Sequence, residues 1–304
     1  MARTSSERPV VVYVAIAANL AITITKFIIA VMTSSSSLLS EAFHSTIDTA
    51  DQLLLLLGKH LSSRPPDEKH PYGHGREYYF WGLIVAIVLF GFGGGMSVYE
   101  GVTHLMHPVA LQSAFWAYVV LGAAFLFEGT SLAFALRKLW KQKGRTPFWQ
   151  ALRESTDPGL YTVIAEDSAA MTGLVIAFFG VLLTDITGNT VYDGIASILI
   201  GGVLATVALF LAYETRSLLV GESDPDISRA VQQLARAEPG VEKVDRPLTM
   251  VLGPDEVLVN VDIQFKRGLT ANEIARTIER LEERLRKEHP EITRIGIEVR
   301  TPKA

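Results

Sequence analysis

The chain has no cysteine among its 304 residues. Disulfides and thiolate metal sites are therefore excluded, and any metal must be held by His, Asp, Glu, Asn or carbonyl oxygen. It also lacks a strong charge excess of one sign. The formal net charge is -4, and no large basic patch marks a nucleic-acid partner. Charge is sparse again along most of the first two thirds. Hydrophobic residues make up 49% of the chain and charged residues 20%, a mixture that suits a membrane protein only if the charge is segregated. It is: long apolar runs come first, then charged helix and alternating strand. The expected division is a membrane domain over 1–214 and a small soluble domain over 215–304.

The apolar runs predict six transmembrane helices near 9–32, 37–58, 79–103, 113–137, 159–184 and 190–214. Each is about 20 residues or more, enough to cross roughly 30 Å of hydrocarbon. No small-residue cleavage site clearly follows the first run, which reads as a retained span. Lys and Arg are absent from the loops near 33–36, 104–112 and 185–189. They gather instead in the N-terminal tail (Arg3, Arg8), in the 2–3 loop (Lys59, Arg64, Lys69, Arg76) and around the 4–5 loop (Arg137, Lys138, Lys141, Lys143, Arg145, Arg153). By the positive-inside rule both termini are cytoplasmic. Short loops and the lack of a targeting extension make a bacterial inner membrane the expected location.

The tail predicts a helix over 225–237, strands over 243–252 and 256–265, a charged helix over 270–288 and a strand over 292–299. This is an αββαβ unit of the α+β class, ferredoxin-like or metallochaperone-like. In the second strand Val257, Val259, Val261, Ile263 and Phe265 alternate with polar or outward residues. So small a unit is expected to pair with a second copy.

Ionisable residues inside a membrane are costly, by roughly 2.5 kcal/mol or more each. Those within the runs are Lys26, Glu41, His44, Asp48, Asp51, Glu128, Glu166, Asp167, Asp193 and Glu214. Asp193 and Glu214 lie near span ends, where water or a helix N-terminus satisfies them. His44 and Asp48 are four apart and share one face of span 2, with Asp51 continuing the stripe. Imidazole nitrogen and carboxylate oxygen on one face make half of a tetrahedral metal site. Glu166 and Asp167 lie in span 5. Counted at 1.5 Å per residue from the inner ends, Asp48 and Asp167 share a depth of roughly 15 Å. Adjacent helical residues point about 100° apart, so Glu166 and Asp167 do not face span 2 equally. Asp167 is the first choice as ligand; Glu166 completes the site, carries a proton or pairs elsewhere. Such a cluster repels itself unless a cation or protons neutralise it. Lys26 as countercharge is the competing, purely structural reading.

Two motifs carry a family resemblance. Ser40-Glu41-Ala42-Phe43-His44-Ser45-Thr46-Ile47-Asp48 in span 2 and His70-Pro71-Tyr72-Gly73-His74-Gly75-Arg76 before span 3 resemble the cation diffusion facilitator family, over about residues 9–300. Glu166-Asp167-Ser168-Ala169-Ala170 looks like the branch related to the animal zinc transporter 9 group. The resemblance implies a homodimeric, proton-coupled exporter of Zn2+ or a related divalent ion, with protons as counter-ion and no organic cofactor. It places two ligands in span 2, matched by His44 and Asp48, and two in span 5. There the family's His falls on Val163, a departure. Some members carry a second metal site in the 2–3 loop, whose acid and two His fall on Asp67, His70 and His74. In the tail, Glu298 and Arg300 stand where family ligands would be, which leaves dimerisation as the tail's expected role.

The leading expectation is therefore a secondary antiporter in contact with membrane lipid, not an enzyme. Zn2+ comes first, and Mn2+, Fe2+, Co2+ or Ni2+ are alternatives that an oxygen-rich donor set also suits. A metal-dependent intramembrane enzyme lacks an HExxH motif. A non-transporting scaffold is the remaining alternative.

Overall fold

The computed structural model describes residues 9–142 and 158–300, with side chains over 19–141 and 162–300. Arg3, Arg8, Lys143, Arg145 and Arg153, part of the charge pattern above, lie outside the described residues. Two compact units are formed by Met1–Leu57 with Trp81–Tyr213, and by Gly58–Phe80 with Glu214–Ala304.

Long helices build the first unit, some with ends that count with the second. They are α1 (Pro9–Thr33), α2 (Ser36–Ser62), α3 (Glu77–Met106), α4 (Ala114–Gln142), α5 (Pro158–Thr187) and α6 (Val191–Val220). Each matches one of the expected runs to within a residue or two at its start, and all extend past its expected end, by one residue in α1 and by three to six in the others. The segments in α3, α4, α5 and α6 are long and apolar enough to cross a membrane. Glu41, His44, Asp48, Asp51 and Lys59 interrupt α2, and the described apolar part of α1 is the shorter Asn19–Thr33. Leu38, Ile47, Leu89, Leu121, Leu174, Ile200 and Leu204 pack inside. Phe92, Leu126, Phe134, Phe179 and Leu199 face outward, the arrangement suited to a hydrocarbon surround.

Helix α3 carries a π-helical stretch over Leu89–Gly95. Glycine then lets it cross α6 at backbone contact. A Cβ on Gly101 would stand 2.6 Å from the Gly194 carbonyl oxygen, and one on Gly201 2.8 Å from that of Gly94. Small residues at a crossing are how helices gain packing where no hydrophobic drive separates them from lipid.

The second unit holds the tail. Its elements are α7 (Pro225–Ala237), β1 (Val241–Val244), β2 (Leu248–Gly253), β3 (Glu256–Phe265), α8 (Ala271–Glu288) and β4 (Ile292–Arg300). β3 is central. β1 and β2 pair antiparallel with its two halves along one edge, and β4 runs parallel along the other. Val257, Val259, Val261, Ile263 and Phe265 all point to the core with Val231, Leu281 and Leu285, as the alternation requires. The expected strand 243–252 is instead two strands, so the order is αβββαβ rather than αββαβ. The break falls at Asp245–Pro247: Pro247 has no N–H for a ladder, and its carbonyl accepts from Ser228 Oγ at 2.9 Å.

α8 begins with a capping box. The Glu273 amide donates to Thr270 Oγ1 at 3.3 Å, and the Thr270 amide donates to Glu273 Oε2 at 2.7 Å. That amide holds the Glu273 carboxyl below its usual range. A depressed carboxyl stabilises the fold above its unfolded value, 4.5, and loses that contribution as pH falls through the folded value. Thr270→Ala should cost about 1 kcal/mol locally. Hydrogen exchange of the first amides of α8 should then quicken roughly fivefold, while amides of β3 stay unchanged.

Candidate ion site in the helical bundle

The start of α2 is fixed by α6. Asp193 accepts from the Ser36 amide at 2.5 Å, the Ser37 amide at 3.3 Å and Ser35 Oγ at 2.9 Å, and it also bonds Ser37 Oγ. A carboxylate on a helix N-terminus is favoured by unpaired amides and dipole alike. The helix N-terminus expected to satisfy Asp193 is thus that of α2.

Two turns on, the polar stripe of α2 faces inward. His44 is 1% exposed, and both its ring nitrogens lack a hydrogen-bond partner among the described residues. Its Nδ1 lies 3.3 Å from Asp48 Oδ1, without the alignment of a hydrogen bond. Asp51 is 1% exposed with neither oxygen bonded. Buried polar atoms are normally paired, so this concentration of free ligand atoms is unusual.

Helix α5 meets the stripe at two levels. Gly173 sits against the Glu41 carboxylate, and a Cβ there would collide with Oε1. Seven residues earlier, on the same face, Glu166 comes within electrostatic reach of Asp51 and Asp48. Asp167 is turned toward α4, where the Ser131 side chain hydrogen-bonds it and Glu128 is its neighbouring acid. Asp167 still acts on Asp48. Val163 is 36% exposed, away from this cluster.

Glu128, an intramembrane acid to which the sequence pattern assigns no role, joins the cluster. It is 9% exposed on α4, and its charge reaches Glu41, His44, Asp48 and Asp167. The signal was an acid in the middle of an apolar run, but only packing shows which way it faces. Lys26 Nζ donates to Ser45 Oγ at 2.6 Å and to Glu41 Oε2 at 3.4 Å. The buried lysine is thus tied to Glu41 rather than to the His44–Asp48 pair.

The 2–3 loop belongs to the second unit. Among the described residues, Asp67, His70 and His74 form the one set of His and acidic groups whose ligand atoms all lie within 4.8 Å of one another. His70 Nδ1 is 3.2 Å from Asp67 Oδ1 and His74 Nε2 is 3.5 Å from Oδ2. The His70 amide, bonded at 2.6 Å, leads the interactions that hold the exposed Asp67 carboxyl below its usual range. Behind the loop, Gly75 packs on β2: a Cβ there would stand 2.5 Å from the Leu252 carbonyl oxygen. In the tail, Arg300 pairs with Asp262 at 2.5 Å and with Glu298 at 3.6 Å.

A bundle of long apolar helices enclosing His44, a second buried imidazole at His104 and several carboxylates, without thiols, defines a polytopic membrane protein with an acidic cluster inside its bundle. Residues 12–220 match the model of the cation efflux transmembrane domain, and the chain belongs to that family, the cation diffusion facilitators. It is 37% identical over 259 residues to a Xenopus laevis protein named proton-coupled zinc antiporter SLC30A9, mitochondrial, covering 84% of this chain and 46% of that one. The Homo sapiens protein of the same name is 36% identical over 259 residues, 84% of this chain and 45% of that one. Metal tolerance protein C4 of Arabidopsis thaliana is 35% identical over 238 residues, 76% of this chain and 51% of that one. The chain spans about half the length of these relatives.

These matches overturn the expected bacterial inner membrane with cytoplasmic termini. The Xenopus, mouse and human relatives are named as mitochondrial proteins. Loop length and the sequence at the chain's ends, on which the expected membrane rested, do not report which membrane a bundle occupies, and the Lys and Arg distribution gives the side the termini share rather than the compartment it faces.

Proposed function

We propose that the protein exchanges a divalent metal cation, Zn2+ first, for protons across a membrane by alternating access through six transmembrane helices. The observation that carries this reading is His44. It is an imidazole 1% exposed, with both nitrogens unbonded among the described residues, 3.3 Å from Asp48 of α2 and within electrostatic reach of Glu41 of α2 and Glu128 of α4. Zn2+ accepts nitrogen and oxygen donors in such a set. The relatives' names, proton-coupled zinc antiporter and metal tolerance protein, support the same class of cargo.

Proton coupling follows from the donors. Metal binds the deprotonated forms, so metal and protons compete for His44 and its acids. Protons arriving from one side discharge the metal, and proton loss on the other side restores the site. His44 and Asp48 are the first ligands. Glu166 and Asp167 are the α5 pair, with Asp51 as an accessory acid. With a single imidazole among so many oxygens, Mn2+, Fe2+, Co2+ and Ni2+ remain alternative cargoes.

Asp67, His70 and His74 make a second site, separate from transport. The tail joins two copies into a homodimer: the outer edge of β4 pairs with no strand among the described residues, and Val299 is 50% exposed there. The test is a vesicle assay with purified protein. A zinc gradient should drive proton movement opposite to the metal, and each competing ion should slow it in proportion to its affinity. Zinc titration should find two ions per chain, one lost in His44→Ala and the other in His74→Ala. Absence of metal-driven proton flux would leave the scaffold reading standing.

A further inference from the structure

Among the described residues, Lys26 is the only lysine or arginine buried in the protein, at 0% exposure, as is its partner Glu41. The pair lies beside the proposed ion site. Glu41 precedes His44 by one turn, and Ser45, which accepts from Lys26 Nζ at 2.6 Å, follows it directly. The lysine's charge is felt at His44 and at Asp48. An ammonium on a flexible four-carbon stem is itself a ligand for a carboxylate cluster. Lys26 is thus placed to compete with the metal ion unless something retains it.

Glu41 is built to retain it. Its Oε2 lies 3.4 Å from Lys26 Nζ, and its Oε1 rests against Gly173 of α5, a position where any side chain would displace it. α5 therefore fixes where the carboxylate stands, and the carboxylate fixes the ammonium. We propose that Glu41 is a positioning residue that sequesters Lys26, keeping an internal cation out of the His44–Asp48 site so that a divalent ion can occupy it. The inference rests on the reading of that site given above. A pin that merely joins α1 to α2 would behave differently, because a pin depends on the pair being matched and not on which helix carries the positive charge.

The test measures zinc binding by equilibrium dialysis on the full chain in nanodiscs, with His74→Ala throughout to remove the loop site. E41Q keeps the shape of Glu41 but weakens its hold on Lys26, and zinc affinity should fall at least about tenfold. K26M/E41Q removes both charges and should return affinity to within about threefold of the parent. K26E/E41K preserves an ion pair but puts the ammonium on α2 beside His44, and should bind as poorly as E41Q. The inference is overturned if K26M/E41Q binds no better than E41Q, or if K26E/E41K binds like the parent. Should E41Q fail to fold, the two double variants decide, since neither leaves an unpaired buried charge. D48N, added to the parent, reports on the site reading separately: zinc binding indifferent to D48N removes that reading, and this inference with it.

Discussion

Asp48→Asn should lower zinc-driven proton flux in reconstituted vesicles by about thirtyfold or more while the protein still purifies as a folded, monodisperse species. The size follows from the environment. Removing one member of a buried charged contact costs about 2–5 kcal/mol, equivalent to roughly thirtyfold to several thousandfold in affinity. Asp48 lies 3.3 Å from His44 and within electrostatic reach of Glu128, Asp167 and Glu41, acids that three helices contribute. Asn keeps the volume and one carbonyl oxygen but cannot carry the charge that a divalent ion neutralises. Folding should survive, because the substitution relieves repulsion among acids in the unloaded protein. His44→Ala should match it in flux. Ser168→Ala, at an exposed position of α5, should leave flux at the parent level. Full flux in both D48N and H44A would sink the transport site assigned to α2.

How much of this was legible in the sequence differs element by element. Helix positions were, because runs of some 20 apolar residues have few other uses. α2 was legible for a different reason: its charges break the hydropathy signal, but their four-residue spacing marks one face. The shared depth of Asp48 and Asp167 came from counting residues. What counting could not supply was rotation. Whether Glu166 or Asp167 faces α2 depends on how α5 rolls about its axis. That is set by contacts far apart in sequence: Gly173 against Glu41 on one side, and Gly129 of α4 near Met171 on another, where a Cβ would lie 3.7 Å from the sulfur. The same limit hid Glu128 and the choice of Lys26 for Glu41. In the tail, alternation gave β3 correctly, while the split of 243–252 required weighing one proline above the apolar residues around it.

Gly101→Ala should destabilise the bundle by about 2 kcal/mol or more, a large effect for one methyl group. The site has no room to give. A Cβ at Gly101 would stand 2.6 Å from the Gly194 carbonyl oxygen and 2.9 Å from the Ile198 amide nitrogen, with the Ile198 side chain at 2.7 Å. Two of those three neighbours are backbone, so relief requires α3 and α6 to separate, and overpacking of that kind costs about 1–3 kcal/mol even where side chains can move. Gly122 is the control: a Cβ there meets nothing within 4 Å, and helix propensity alone favours Gly122→Ala by up to about 1 kcal/mol. Thermal unfolding in detergent should therefore move in opposite directions for the two variants. Equal, small shifts in both would overturn the close crossing of α3 and α6. The consequence reaches the ion site. Gly194, the residue against Gly101, directly follows Asp193, and Asp193 holds the first amides of α2. Pushing α6 away withdraws that carboxylate from the helix that carries His44 and Asp48. In the G101A protein that remains folded, zinc affinity should fall along with stability, and G122A should leave it unchanged.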